Sequence, residues 1–151
     1  MRHLGVSLLA LLLAGSVIAH ANLTASTPED GAVLDAAPTE VVVEFSEGLE
    51  AGFSTFKVYR LDETVDLDAD NAQQRLHGLA AVLVGEVLLA QDDGESEARV
   101  DVGFEPAAGV TEEVNVNLIE ELGAGHYVVM WRVLSIDTHV VQGHFVFSVR
   151  P

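Results

Sequence analysis

The chain has no cysteine among its 151 residues, only two methionines and one tryptophan, and seven lysines and arginines against 24 aspartates and glutamates. Each shortage excludes something. Without cysteine the fold cannot lean on disulfides, and no thiolate is available to hold Zn²⁺ or Cu⁺, so oxygen and nitrogen donors are what remain. A formal charge of −17 makes a surface that repels nucleic acid and anionic lipid and attracts cations. The same surplus of acid suits a salty medium, so the acids alone mark no site.

Long apolar runs are also scarce. The longest, Leu4–Ala14, is broken only by Gly5 and Ser7, follows Arg2 and His3, and leads into small residues ahead of position 20. A basic start and an apolar stretch too short to span a bilayer describe a secretory signal peptide. Cleavage is expected after Ala19, with Val17 at the minus-three position, so that residues 1–19 are removed. Residues 20–151 then form one domain of ordinary size, able to bury a core without staples and with no segment to insert in a membrane. Losing Arg2 leaves 24 acids against six Lys/Arg in the mature chain.

What is present is mostly strand pattern. Val41, Val43 and Phe45 alternate with Val42, Glu44 and Ser46. Phe53–Leu61 repeats the period, with Phe56 and Val58 on one face and Lys57 and Tyr59 on the other. Ala98, Val100 and Val102 are expected to face opposite to Arg99 and Asp101, and Val114, Val116 and Leu118 opposite to Asn115 and Asn117. Between these runs Asp62–Gln91 reads as a short helix from Asp70 toward His77, followed by a strand over Ala81–Leu89. His77 reads there as a surface histidine. Seven or eight short strands separated by turn signals predict an all-β, two-sheet Greek-key sandwich, with Trp131 in its core and Arg132 on the opposite face.

The chain is organised around Gly125–Val149. Two apolar runs, Tyr127–Leu134 and Phe145–Val149, flank a polar segment with Asp137 and His139, and His144 follows. A carboxylate and imidazoles at a strand junction suit a borderline transition metal, because strands fix the geometry and the junction supplies the donors. His144 alternates away from Phe145 and Phe147, which favours an exposed or inter-sheet position. It and His126 remain candidates for contact with a metal through the fold. At the other end, His20 becomes the first residue after cleavage, where its freed α-amine and ring Nδ1 can close a chelate that no internal histidine can form.

These residues carry a resemblance. The opening His20-Ala21-Asn22-Leu23, then Ser26-x-Pro28-x-x-Gly31-Ala32-x-Leu34-x-x-Ala37-Pro38 and Val41-x-Val43-x-Phe45-Ser46-Glu47, resembles the start of the CopC family of exported copper-binding proteins. The close, Gly125-x-Tyr127-x-Val129-x-Trp131-Arg132-Val133-x-Ser135-x-Asp137-x-His139-x-x-x-Gly143-x-Phe145-x-Phe147-x-Val149, is similar to that family's signature end. The resemblance implies an immunoglobulin-like β-sandwich, a monomer, that binds Cu(II) in the periplasm for copper resistance, buffering or delivery to an inner-membrane copper transporter of the CopD type. It further implies His20, through amine and imidazole, together with Asp137 and His139 as the Cu(II) ligands. Tetragonal, nitrogen-rich coordination completed by a carboxylate is what Cu(II) prefers.

The departures are informative. Thr138 stands where the family usually has glycine, and Val140 where it often has proline. Many members carry a methionine-rich loop for Cu(I); this chain keeps only Met130 after processing, and one thioether makes no Cu(I) site. Asp62–Gln91 looks like an insertion. Two other function classes share features of the chain. A lytic polysaccharide monooxygenase also chelates copper with an N-terminal histidine, though a carboxylate such as Asp137 near the metal opposes easy reduction. An extracellular adhesion domain would need only secretion and an acidic surface. The copper-carrier expectation is therefore of a binding protein, not an enzyme.

Overall fold

The computed structural model describes residues 21–94 and 96–151; the expected leader, 1–19, and His20 lie outside the described residues. Eight strands and one helix follow one another as β1 (Leu23–Thr27), β2 (Ala32–Leu34), β3 (Glu40–Glu50), β4 (Thr55–Arg60), α1 (Ala72–Val87), β5 (Asp101–Glu105), β6 (Val110–Leu118), β7 (Gly125–Leu134) and β8 (Val140–Val149), with a 3-10 turn over Ala51–Phe53. They form two four-stranded sheets, ordered β1-β3-β6-β5 and β2-β8-β7-β4. All pairings are antiparallel except the short β2 edge, which runs parallel to β8. This is the expected immunoglobulin-like sandwich.

The period-two pattern fills the space between the sheets. Val41, Val43 and Phe45 of β3 and Val114, Val116 and Leu118 of β6 meet Phe56, Val58, Tyr127, Val129, Trp131, Val133, Phe145 and Phe147 of the facing sheet. Phe45 sits edge-on to Trp131 with ring centroids 6.0 Å apart, the arrangement that aromatic quadrupoles favour. Gly143 lies opposite Trp131 on β8, and a Cβ there would overlap the indole. Glycine at 143 is thus the space into which the tryptophan packs.

Two expectations fail, each for a physical reason. The stretch 81–89 is not a strand: α1 runs uninterrupted through 81–87 and ends in a turn at Leu88 and Leu89. Leu76 and Ala80 are buried at helical spacing, with Leu79, Leu83, Val84 and Val87 packed beside them, while Gly85 and Glu86 fall on the exposed face. Periodicity of 3.6 therefore overrides the strand preference of the valines. The helix covers the outer face of the β2-β8-β7-β4 sheet, making a second core with Tyr59, Val128, Met130 and Val146. As a result Lys57 and Tyr59 are buried as thoroughly as Phe56 and Val58.

The second failure is in β5. Val100 is buried but Val102 is 65% exposed, because the register slips between Asp101 and Gly103, where Gly103 takes a φ of +119°. The bulge turns Asp101 inward. Its carboxylate accepts the Val58 N–H at 2.8 Å and pairs with Arg99 through two bonds of 3.0 and 2.9 Å.

Candidate metal centre

β7 and β8 are joined by the five residues Ser135–His139, and local bonds explain their shape. The Thr138 N–H reaches the Ser135 carbonyl and the Ser135 N–H reaches the His139 carbonyl, both at 2.9 Å, while Thr138 sits at φ +72°. A turn closed by one left-handed residue is a common hairpin connection, and that last position ordinarily takes glycine. The substitution noted in the sequence is therefore a threonine held in a glycine conformation.

Ser135 is the hub. It is buried; its hydroxyl donates to Glu47 of β3, and the Ile136 N–H donates to the Gly48 carbonyl at 3.0 Å. The loop is thereby tied to residues 47 and 48 of the other sheet. The tie presents Asp137 and His139 outward as a pair. Asp137 Oδ1 accepts the His139 backbone N–H at 3.0 Å, and Oδ2 lies 2.9 Å from His139 Nδ1. The His139 backbone N–H above all, with help from its ring and from Ser135, holds the Asp137 carboxyl at about 2. Asp137 is thus an anion at any ordinary pH, aimed at an imidazole.

The first described residues come to the same place. Ala21 is buried; the Asn22 N–H donates to Ser46 Oγ at 3.1 Å, and the Ser46 N–H returns to the Asn22 carbonyl at 2.9 Å. Ser46, Glu47 and Gly48 are consecutive on β3, so three neighbouring residues grip both the start of the domain and the Asp137–His139 loop. Ser135 and Glu47 were not singled out in the sequence. The Ser-Glu pair after Phe45 and the serine two residues before Asp137 were visible, but nothing in either segment says that they meet.

Among the described residues no three His, Asp or Glu side chains already surround a metal-sized point. Asp137 and His139 supply two donors; His20, the third expected, lies outside. The other histidines are elsewhere. His126 pairs with Ser148 in the β7–β8 ladder, at the far end of the hairpin from the loop. It is buried, with Nε2 accepting the Val65 N–H at 3.1 Å and Nδ1 2.8 Å from Ser148 Oγ. Burial lowers its pKa; this is a structural imidazole. His144 lies on the helix-covered face opposite Met130, and its ring neighbour is His77.

A two-sheet sandwich whose closing hairpin offers a carboxylate and an imidazole beside the start of the domain defines a class of small β-domains with a donor-rich pole. Within that class, the CopC domain model matches residues 23–150, and the chain belongs to the CopC family. It is 30% identical over 139 residues to Protein YobA of Escherichia coli strain K12, covering 92% of this chain and 86% of that protein. It is 29% identical over 144 residues to Copper resistance protein C of Escherichia coli, covering 94% and 90%. Among solved structures it is similar to PcoC, a methionine rich copper resistance protein from Escherichia coli, with a TM-score of 0.58, 26% identity, and coverage of 87% of this chain and 100% of that one. No helix among the described residues is long and apolar enough to cross a membrane.

Proposed function

We propose that this chain is an exported Cu(II)-binding protein of the periplasm, cleaved after Ala19, acting in copper resistance, buffering or delivery to an inner-membrane copper transporter of the CopD type. The ligands are the His20 α-amine and imidazole, Asp137 and His139. The observation that carries this reading is the grip of Ser46–Gly48 on both the Asn22 end of the domain and the Asp137–His139 loop. His139 Nδ1 and Asp137 Oδ2, 2.9 Å apart, are spaced as neighbouring donors on one ion, and both bind it once the ring nitrogen has shed its proton. As a ligand, Asp137 contributes negative charge to the ion. That charge favours Cu(II) over Cu(I), which supports a carrier in preference to a redox enzyme, and a single retained methionine supports a site without Cu(I).

Mass spectrometry of the secreted protein's N-terminus tests the cleavage on which His20 depends. A Cu(II) titration followed by electron paramagnetic resonance tests the ligands. The expected result is one tight tetragonal Cu(II), weakened more by one extra residue ahead of His20 than by His144→Ala. Equal effects of the two changes, or sustained oxidation of a polysaccharide by the copper-loaded protein, overturn the proposal.

A further inference from the structure

Helix α1 brings together residues that lie far apart in the sequence. His77, on the face of α1 turned to the sheet, comes beside His144 of β8, with ring centroids 6.1 Å apart and planes inclined by 52°. Asp30, in the turn before β2, places Oδ1 3.3 Å from His77 Nε2, and the same oxygen is fixed by the Val146 N–H at 3.1 Å. The Gln73 amide donates to the Gly31 carbonyl at 3.3 Å and holds the first turns of α1 over this spot.

We propose that Asp30, His77 and His144 form a second site for a divalent transition metal of the imidazole-preferring kind, Cu(II) in preference to Zn(II). It is separate from the site of the proposed function and does not depend on it. His144 is five residues from His139 along a strand, about 16 Å. The spacing of the donors is the argument. With metal–ligand bonds of about 2.0–2.2 Å, adjacent donors on one ion are about 2.9–3.4 Å apart, and two imidazoles sharing it have centroids about 4.5 Å apart when cis, about 5.2 Å at a tetrahedral angle and about 6.5 Å when trans. The carboxylate–imidazole edge of 3.3 Å suits neighbouring donors, and the ring separation of 6.1 Å suits a near-trans imidazole pair, the tetragonal arrangement that Cu(II) takes.

The third donor closes on binding. Among the described residues no three donors are yet arranged around one point, so the His144 ring has to turn about χ2, a soft torsion. Burial, and the neighbouring His77, lower the His144 pKa, which keeps that ring neutral and able to ligate at neutral pH. The strongly anionic chain concentrates cations around it. The donor set of two imidazoles and one carboxylate leaves a position for water, and the ion would clamp the helix to β8.

The test is metal stoichiometry in the processed full-length domain. Wild-type protein is expected to take two Cu(II), the second more weakly, and His77→Gln or His144→Ala to weaken that second equivalent at least tenfold. Asp137→Ala/His139→Ala is expected to remove the first equivalent and leave the His77-dependent one, so failure of either site is seen apart from the other. In wild-type protein, Zn(II) should shift the ring resonances of His77 and His144 together, a readout that needs no variant. A single equivalent in the wild type, a second one undiminished in His77→Gln/His144→Ala, or unmoved ring resonances shows that Asp30–His77 is an ion pair only and overturns the proposal.

Discussion

Replacing Lys57 by methionine should markedly destabilise the protein. Lys57 is 3% exposed, and its ammonium donates at 2.7 Å to the carbonyls of Val87 and Ala90, at the C-terminal end of α1, and at 2.5 Å to Asp93. Asp93 also accepts from Tyr59 at 2.6 Å and from Arg99 at 2.9 Å. Burial pushes the Asp93 carboxyl up, but these donors together hold it below its ordinary value, and the Tyr59 phenol beside it is driven well up by burial and by the Asp93 carboxylate. Methionine matches the stem of lysine and supplies none of the three donors.

Breaking a buried ion pair from one side costs about 3–5 kcal/mol, and each carbonyl left unpaired about 1–3 kcal/mol. Asp93 keeps Tyr59 and Arg99, and the Val87 carbonyl keeps the Ala90 N–H, so the lower part of each range applies, about 3–4 kcal/mol in all. Against a typical total of about 5–15 kcal/mol this is large, and it corresponds to a fall in Tm of about 10 °C. Urea unfolding followed by Trp131 fluorescence and by helical circular dichroism measures it. Lys57→Met/Asp93→Asn should cost at least about 1 kcal/mol less than the two single changes summed. A loss below about 1 kcal/mol for Lys57→Met, or strict additivity, would refute the idea that this lysine fastens the helix to the sheet.

Thr138→Gly should raise stability by about 0.5–1 kcal/mol. Left-handed backbone costs a side-chain-bearing residue about 1–2 kcal/mol, while glycine gives back about 0.5–1 kcal/mol in unfolded-state entropy; a loss on thermal melting would contradict the turn. Copper affinity should fall more than tenfold from pH 7 to pH 5, because the α-amine and the imidazoles must shed protons to ligate. Asp137, held at about 2, stays ionised throughout and adds no slope; a flat isothermal titration series would remove nitrogen ligands from the site. His126 must stay neutral for Nε2 to accept from Val65, and its folded pKa is depressed. Its contribution to stability is therefore full above about 6.5 and is lost as pH falls through the folded value. Denaturation at pH 7, 6 and 5 should show His126→Gln with a shallower pH slope than wild type, and equal slopes would place the proton elsewhere.

Much of this was legible from local pattern. Alternation over Val41–Phe45 and Val114–Leu118 marks one inner face, and Tyr127–Val133 with Phe145–Val149 marks the other, because a strand's side chains alternate whatever the partner. Asp137 and His139 stand out for a similar reason: two polar donors one residue apart, between two apolar runs, are visible within a single segment. The slip at Gly103 was not legible, since Glu97–Gly103 alternates well as text and only the pairing with β6 shows the bulge.

The amino-acid order alone determined the two-sheet sandwich, its core rows and the donor pair on the closing hairpin, since each follows from spacing within one segment. Tertiary structure alone decided that the 72–87 helix lies on the outer face, that Glu47 and Ser135 join the sheets under the Asp137–His139 loop, and that His77 and His144 are neighbours. Those pairings span tens of residues, and they arise from which surfaces can be buried together, a property that no single segment carries.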